Sequence, residues 1–416
     1  MSIIVPDKLD SLIGSGGAVP TAIFDGANLD AFSRLRASNP SSLFSVQCQY
    51  NEAPLVMESG TTGTGVAPVH SINDRMVKLR ATSGTGTSYI QSFQYVPYQP
   101  GKSHLICITG VLGAGVAGAT VDVGYFDADN GIFLRQNGTS GLQIVRRTKT
   151  SGSVVEEVVS KVNWNINPSI QFDESKSFIL IIDLQYLGMG RVRCGFDADG
   201  EVKYFHEFLN ANAMAVPYMQ TATLPVQMLL TATATALAKD CYFKCAAVSS
   251  EGGLAVFEDF SFSFATPDLS VTAGSGARTH LVSLRPKTTF NSITNRETLF
   301  IESIDMIVTG NNPVFWELCI GQAITGAAWA NVNTASSAFE YGTGTISGSP
   351  TAVISSGYVA ATAGSKSDVS KTLSVKYPVT LDRSGAVRIN GTLSLVVTGL
   401  GGTSATRGVI NYKEIR

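Results

Sequence analysis

The sequence predicts an all-β protein. An antiparallel β-sandwich or jelly-roll body at 46–266 follows an extended N-terminal arm, 1–45, and a linker at 267–276 leads to a second, smaller β-sandwich at 277–416. Three observations carry this reading. Residues 178–208 read as three strands back to back. Strand-like runs recur along the chain, separated by turn dipeptides and not by helix-length periodic segments. Charged residues make up only 15% of a chain with 41 glycines, and small β-forming residues fill the runs between turns.

The arm comes first. Gly14, Gly16 and Gly17 give it no core of its own, and it holds at most one short helix near 29–36, capped by Asp30 and left at Asn39-Pro40. Such an arm orders only against another surface, either its own body or, the preferred expectation, a neighbouring subunit. The body then shows strand candidates at 89–95, 104–111, 119–126, 141–147, 154–162, 224–237, 241–248 and 255–264. Pro100-Gly101, Asn130-Gly131, Asn137-Gly138, Ser151-Gly152 and Asp199-Gly200 punctuate them.

At its heart lies the meander of 178–208. Residues 178–184 are almost unbroken apolar, which predicts a strand buried on both faces. Gly188 and Gly190 supply a turn. Val192, Cys194 and Phe196 then alternate with Arg191 and Arg193. Asp199-Gly200 favours a type I′ hairpin, and the return strand puts Val202, Tyr204, His206 and Phe208 on one side. Residues 213–238 carry no charge and are long enough to span a bilayer. Pro217, Pro225 and the alternating Thr231, Thr233 and Thr235 make them a loop and a strand instead, so no membrane insertion is expected. The second unit offers strands at 281–284, 299–309, 314–320, 357–361, 372–377, 379–381 and 386–398, a turn at Asn390-Gly391, and a charged tail at 412–416.

The chemistry is sparse. A formal net charge of −2 provides no basic field for nucleic acid. The six cysteines have no zinc spacing and read as buried free thiols of a protein made in a reducing cytosol; the opening residues hold no secretory signal. Gly101-Lys102-Ser103 lacks the glycine five residues earlier, where Val96 stands, so it is no phosphate loop. Asp127 with Asp129, and Asp197 with Asp199, resemble fragments of calcium loops but lack the later glutamate, and read as hairpin turns. Glu156 and Glu157 are adjacent in a strand and so face opposite ways. Asp127, Asp129, Trp164 and Tyr186 form a candidate glycan surface; for Trp164 and Tyr186, as for Tyr125, Phe126 and Phe133, core packing is the competing role. No catalytic, cofactor-binding or metal-ligating residue is assigned, and the expectation is a protein that is not an enzyme and needs no cofactor.

Three segments resemble a family of virion structural proteins of tailed bacteriophages and some large DNA viruses. They are the run from Asp30 to Pro40 leading into Leu43-Phe44, the stretch from Tyr98 to Ser103, and residues 178–208 with Leu187 to Arg193 and His206-Glu207-Phe208. The resemblance covers residues 30–210; Thr288 to Asn291 and Gly326 to Trp329 are similar too. It implies a lectin-like jelly-roll body in a virus particle, tail-associated in preference to decorating the capsid, made in the host cytoplasm. The implied partners are other copies of the chain (a trimer by analogy with fibre-like β proteins) and neighbouring virion proteins. Phe32, Arg34, Leu35 and Arg36 of the arm are the candidate docking residues. The alternative is a receptor-binding module gripping a host surface glycan. A polysaccharide-degrading enzyme would need two carboxylates facing across a cleft.

Overall fold

Alternation carries these strands into two packed cores. The computed structural model describes residues 40–415, except 83, 199, 234, 236, 237, 254–259, 266–270, 362–366 and 373–378. The arm's helix and its candidate residues Phe32, Arg34, Leu35 and Arg36 therefore lie outside the described residues. From Pro40 onward the chain is one contiguous unit. Among the described residues it contains no α-helix, and no helix long and apolar enough to cross a membrane.

The first body runs through β1 (Ser41–Gln47), β2 (Met57–Gly63), β3 (Val66–Ser71), β4 (Met76–Ala81) and β5 (Gly86–Ser92). It continues with β6 (Ser103–Val111), β7 (Ala119–Phe126), β8 (Gly131–Asn137), β9 (Leu142–Thr148) and β10 (Val155–Ser160). The chain then passes through β11 (Ser177–Gln185), β12 (Val192–Ala198), β13 (Glu201–Phe208), β14 (Val226–Ala232) and β15 (Lys239–Ser250). An eight-stranded sheet has the order β13-β12-β11-β6-β15-β4-β3, with β1 also on β15. A seven-stranded sheet has the order β10-β9-β8-β7-β14-β5-β2. The chain crosses between the sheets repeatedly, as a jelly roll requires.

The second body holds β16 (Phe260–Ala265), β17 (Val271–Ala273), β18 (Thr279–Pro286), β19 (Thr289–Phe290), β20 (Ile293–Thr294) and β21 (Thr298–Val308). It closes with β22 (Val314–Ile320), β23 (Ile324–Asn331), β24 (Phe339–Ile346), β25 (Ala352–Val359), β26 (Ser367–Thr372), β27 (Leu393–Gly399) and β28 (Ser404–Ile415). A sheet ordered β16-β28-β21-β26, with β17 on β28, faces one ordered β23-β24-β18-β27-β22-β25. Each body has its own core, the second around Trp316, Phe339 and Tyr412.

Several expectations are corrected. Residues 41–45 lie in β1, which pairs with β15, so the body begins at the end of the arm and not at 46. β16 pairs with β28, and Phe262 and Phe264 pack on the second core, so 260–265 belong to the second body. Part of the expected linker is β17, also paired with β28. The charged tail is the end of that same strand, and Glu414 is buried there with Ser337 and the Ala338 amide as partners. The meander forms in the expected order, but it lies at one side of the sheet: β13 is the edge, and β6 and β15 sit nearer the middle. β11 is buried on both faces only at its middle, since Ile179 is exposed.

A bulge explains the face error in β13. Cys194 pairs with His206 and Gly195 with Tyr204, leaving Phe205 as the extra residue. Phe205 turns inward to stack on Trp164 while Val202 is exposed. One inserted residue thus flips the alternation. The hairpin between β12 and β13 pairs Ala198 with Glu201, so its loop has two residues, and Gly200 sits at φ +87° with nothing near where a Cβ would stand. Gly200→Val should therefore cost roughly 1–3 kcal/mol through backbone conformation alone. An unchanged melting temperature would refute this.

Candidate functional site

A cleft of about 980 Å³ opens between the two β-sandwich bodies. Its first wall starts from the β7–β8 turn. The Asp127 Oδ1 accepts the Asp129 and Asn130 amides, each at 2.8 Å, so the carboxylate is bent back as an Asx turn and not presented as a calcium loop. Among the described residues no group of three or more His, Cys, Asp or Glu side chains could hold a metal ion. Asp127 lines the cleft, and its Oδ2 has no hydrogen-bond partner among the described residues. Burial pushes the Asp127 carboxyl above the usual carboxylate range, against the two turn amides and the Arg296 guanidinium that favour the anion.

Around this turn the polar groups are held by one another. Asn130 Nδ2 donates to Gln220 Oε1 at 3.3 Å, and the Gln220 amide donates to Asn130 Oδ1 at 2.9 Å. Lys149 pairs with Asp129 at 3.0 Å, a half-exposed pair worth well under ~1 kcal/mol. Arg147 donates to the Asp127 carbonyl at 2.7 Å and anchors the turn from below.

The second wall comes from the C-terminal body. The β19–β20 hairpin turns through Asn291 and Ser292, both at positive φ, and presents Ser292, Ile293 and Thr294. Arg296 stacks on the Tyr95 ring at 4.2 Å and donates to the Asp382 and Arg383 carbonyls. Arg383 lies over the Tyr89 ring at 4.4 Å, and its backbone amide donates to Glu58 Oε2, whose other oxygen takes the Tyr89 hydroxyl. Both Glu58 oxygens are thus occupied. Asp382 spends Oδ1 on Ser384 and Ala386 and leaves Oδ2 without a partner among the described residues. The two bodies therefore meet through half-buried guanidinium–aromatic contacts beside the cleft.

Of the four candidate glycan residues, the structure brings Asp127 and Asp129 together in this cleft and leaves the other two elsewhere. Trp164 is buried, stacked on Phe205, with its indole N–H on the Val159 carbonyl; it is core and offers no surface to a sugar. Tyr186 is half-buried against Tyr98 and Tyr218, its hydroxyl on the Met219 carbonyl. Tyr125 is core, its hydroxyl shared by the Val96 and Ala222 carbonyls. Sequence reasoning missed Glu58, Tyr89, Tyr95, Arg296 and Arg383. The one available signal was the Asp382 to Gly385 turn pattern.

The remaining groups resolve plainly. Glu156 pairs with Arg135 and Arg147 while Glu157 pairs with Arg146, on opposite faces as expected. Lys102 donates to Gln99 and to the Gly253 carbonyl. All six cysteines are free, with Cys107 and Cys245 only half-buried.

No protein-family model matches the chain and no curated protein matches it. Solved structures do. A β-glucanase of Bacillus licheniformis is 13% identical over 50% of this chain and 98% of its own, with a TM-score of 0.32. A carbohydrate esterase of the Shiga toxin-encoding bacteriophage phi24B is 12% identical over 51% of this chain and 100% of its own, at 0.31. The carbohydrate recognition domain of Emp47p is 10% identical over 51% and 96%, at 0.35. The expectation that the protein is not an enzyme is withdrawn, since a β-glucanase and a carbohydrate esterase stand among the solved structures it is similar to. The lack of a local motif does not exclude catalysis on a β-sandwich, where acidic residues from separate strands meet only in space.

Proposed function

We propose that the chain is a carbohydrate-binding protein whose glycan site is the cleft between its two bodies. The observation that carries this is the presence in one cleft of two carboxylates, Asp127 and Asp382, each with one oxygen lacking a hydrogen-bond partner among the described residues, beside fixed carboxamides and guanidinium-braced tyrosines. Sugar hydroxyls need both acceptors and donors at set positions, and rigid neighbours keep their ordering cost low. The test is calorimetry of the full chain against a panel of oligosaccharides and polysaccharides, with reducing ends assayed in parallel. Asp127→Ala should weaken the best ligand about tenfold or more, as loss of a charged acceptor predicts. Equal affinity in the variant would place the site elsewhere.

A second reading, a structural virion component, rests on the three sequence segments between residues 30 and 210. In it the chain is an oligomer docked through its arm onto neighbouring virion proteins, tail-side by preference. Antibody labelling of intact particles tests it: label at a tail tip also favours glycan reception, label spread over a shell or tube favours a purely structural subunit, and no label on or within particles removes the reading.

A further inference from the structure

We infer that a second cavity, on the outer face of the eight-stranded sheet, binds a single neutral sugar residue. It encloses about 260 Å³ and is lined by Tyr98, Lys102, Asp183, Gln185, Arg191 and Glu251, among others. The sheet register builds it. Gln185 of β11 pairs with Ser103 of β6, and the Glu251 amide donates to the Ser103 carbonyl at 2.9 Å, so the three share one rung. Asp183 sits two residues along β11, on the same face. The two acidic residues thus flank β6, their backbones about 10 Å apart across the strands and about 7 Å along them.

Each carboxylate is tethered by one oxygen and open at the other. Asp183 Oδ2 takes Arg193 Nε at 3.0 Å and the Tyr204 hydroxyl at 3.3 Å, and Glu251 Oε2 takes the Ser103 hydroxyl at 2.5 Å. Asp183 Oδ1 and Glu251 Oε1 have no partner among the described residues. Donors face them. Arg191 has only a 3.9 Å contact with Glu207. Lys102 donates to Gln99 at 3.1 Å and to the Gly253 carbonyl at 3.0 Å, which leaves its third N–H. The Tyr98 oxygen accepts the Leu187 amide at 3.1 Å, which leaves its own proton. Leu187, 58% exposed at φ +40°, offers an apolar rim beside the Tyr98 ring.

That pattern selects the ligand. Two fixed acceptors facing several donors suit vicinal hydroxyls, each of which both gives and takes a hydrogen bond. The apolar rim suits the C–H face of a sugar ring. Lys102, Arg191 and Arg193 are balanced by Asp183, Glu251 and Glu207, so neither an acidic sugar nor a free cation is favoured. This site stands apart from the cleft and does not depend on it.

The test is saturation-transfer NMR and calorimetry of the full chain with neutral monosaccharides: glucose, galactose, mannose and N-acetylglucosamine. At least one should bind, and Glu251→Gln and Gln185→Ala should each weaken it, the former about tenfold. Thermal melts of both variants check that the sheet is intact, and Asp127→Ala should leave this binding unchanged. No binding by any of the four overturns the proposal, as does affinity unchanged in both variants. Calcium binding that Glu251→Gln abolishes, with no sugar bound, would make the cavity a cation site instead. Loss of cleft binding with this site retained, or the reverse, separates the two proposals.

Discussion

Acidification from pH 6.5 to about pH 4 should cost the protein about 3 kcal/mol through one residue, His104. The side chain is fully buried, both ring nitrogens lack a hydrogen-bond partner, and its ring meets Tyr98 edge-on at 5.2 Å. Burial holds its pKa down, from 6.5 to about 4. Between those values the unfolded chain binds this proton and the folded chain does not, so stability falls as pH falls through the window. His206 adds in the same direction. It is also lowered by burial to about 4, and its Nδ1 accepts the Asn165 amide at 3.3 Å, a bond that protonation breaks. Against a typical domain stability of about 5–15 kcal/mol, the loss is a large fraction. Urea unfolding at pH 7.5 and 4.5 measures it. His104→Phe, which keeps an aromatic ring against Tyr98, should flatten the profile by the His104 share; parallel profiles for wild type and variant would show that His104 is not the group.

The same contrast between local and distant information decides what the sequence revealed. β7 and β22 have the bounds that apolar runs and flanking turns mark out, and the Asp199-Gly200 hairpin joins β12 to β13. These are settled within a few residues by steric preference and alternation. The inward turn of Phe205 was hidden because a bulge depends on the partner strand, and Glu414 looked like a solvated tail because its partners Ser337 and Ala338 are far off in sequence. The cleft was least legible of all. Asp127 was visible through its turn, but Glu58 and Arg383 meet across 325 residues, and no spacing encodes that. Arg296 and Tyr95 meet only because the two β-sandwich bodies pack together.

Arg135→Ala should destabilise the protein by about 3–5 kcal/mol, the expected cost of stranding a buried charge. Asp122, Phe126, Phe133, Arg135, Val145, Arg147 and Glu156 all lie on the outer face of the seven-stranded sheet, opposite its main core. Arg135 and Arg147 extend over the Phe133 ring at 5.1 and 4.8 Å, which helps keep Phe126 and Phe133 from solvent. Arg135 grips Asp122 at 2.8 and 3.0 Å and Glu156 at 2.7 Å. Burial pushes the Asp122 carboxyl above the usual range even with Arg135 present, whereas hydrogen bonds from Arg135 and Arg147 outweigh burial at Glu156 and hold it below. Without Arg135, Glu156 keeps Arg147 but Asp122 keeps no ion-pair partner. Its folded-state pKa then climbs further, so the folded state binds a proton that the unfolded chain releases, and the penalty shrinks as pH falls. Removing both partners tells pairing from packing: Asp122→Asn with Arg135→Met leaves no stranded charge and should recover most of the loss. If the double variant is as unstable as Arg135→Ala, the guanidinium's cover of Phe133, and not its charge, is what the fold requires.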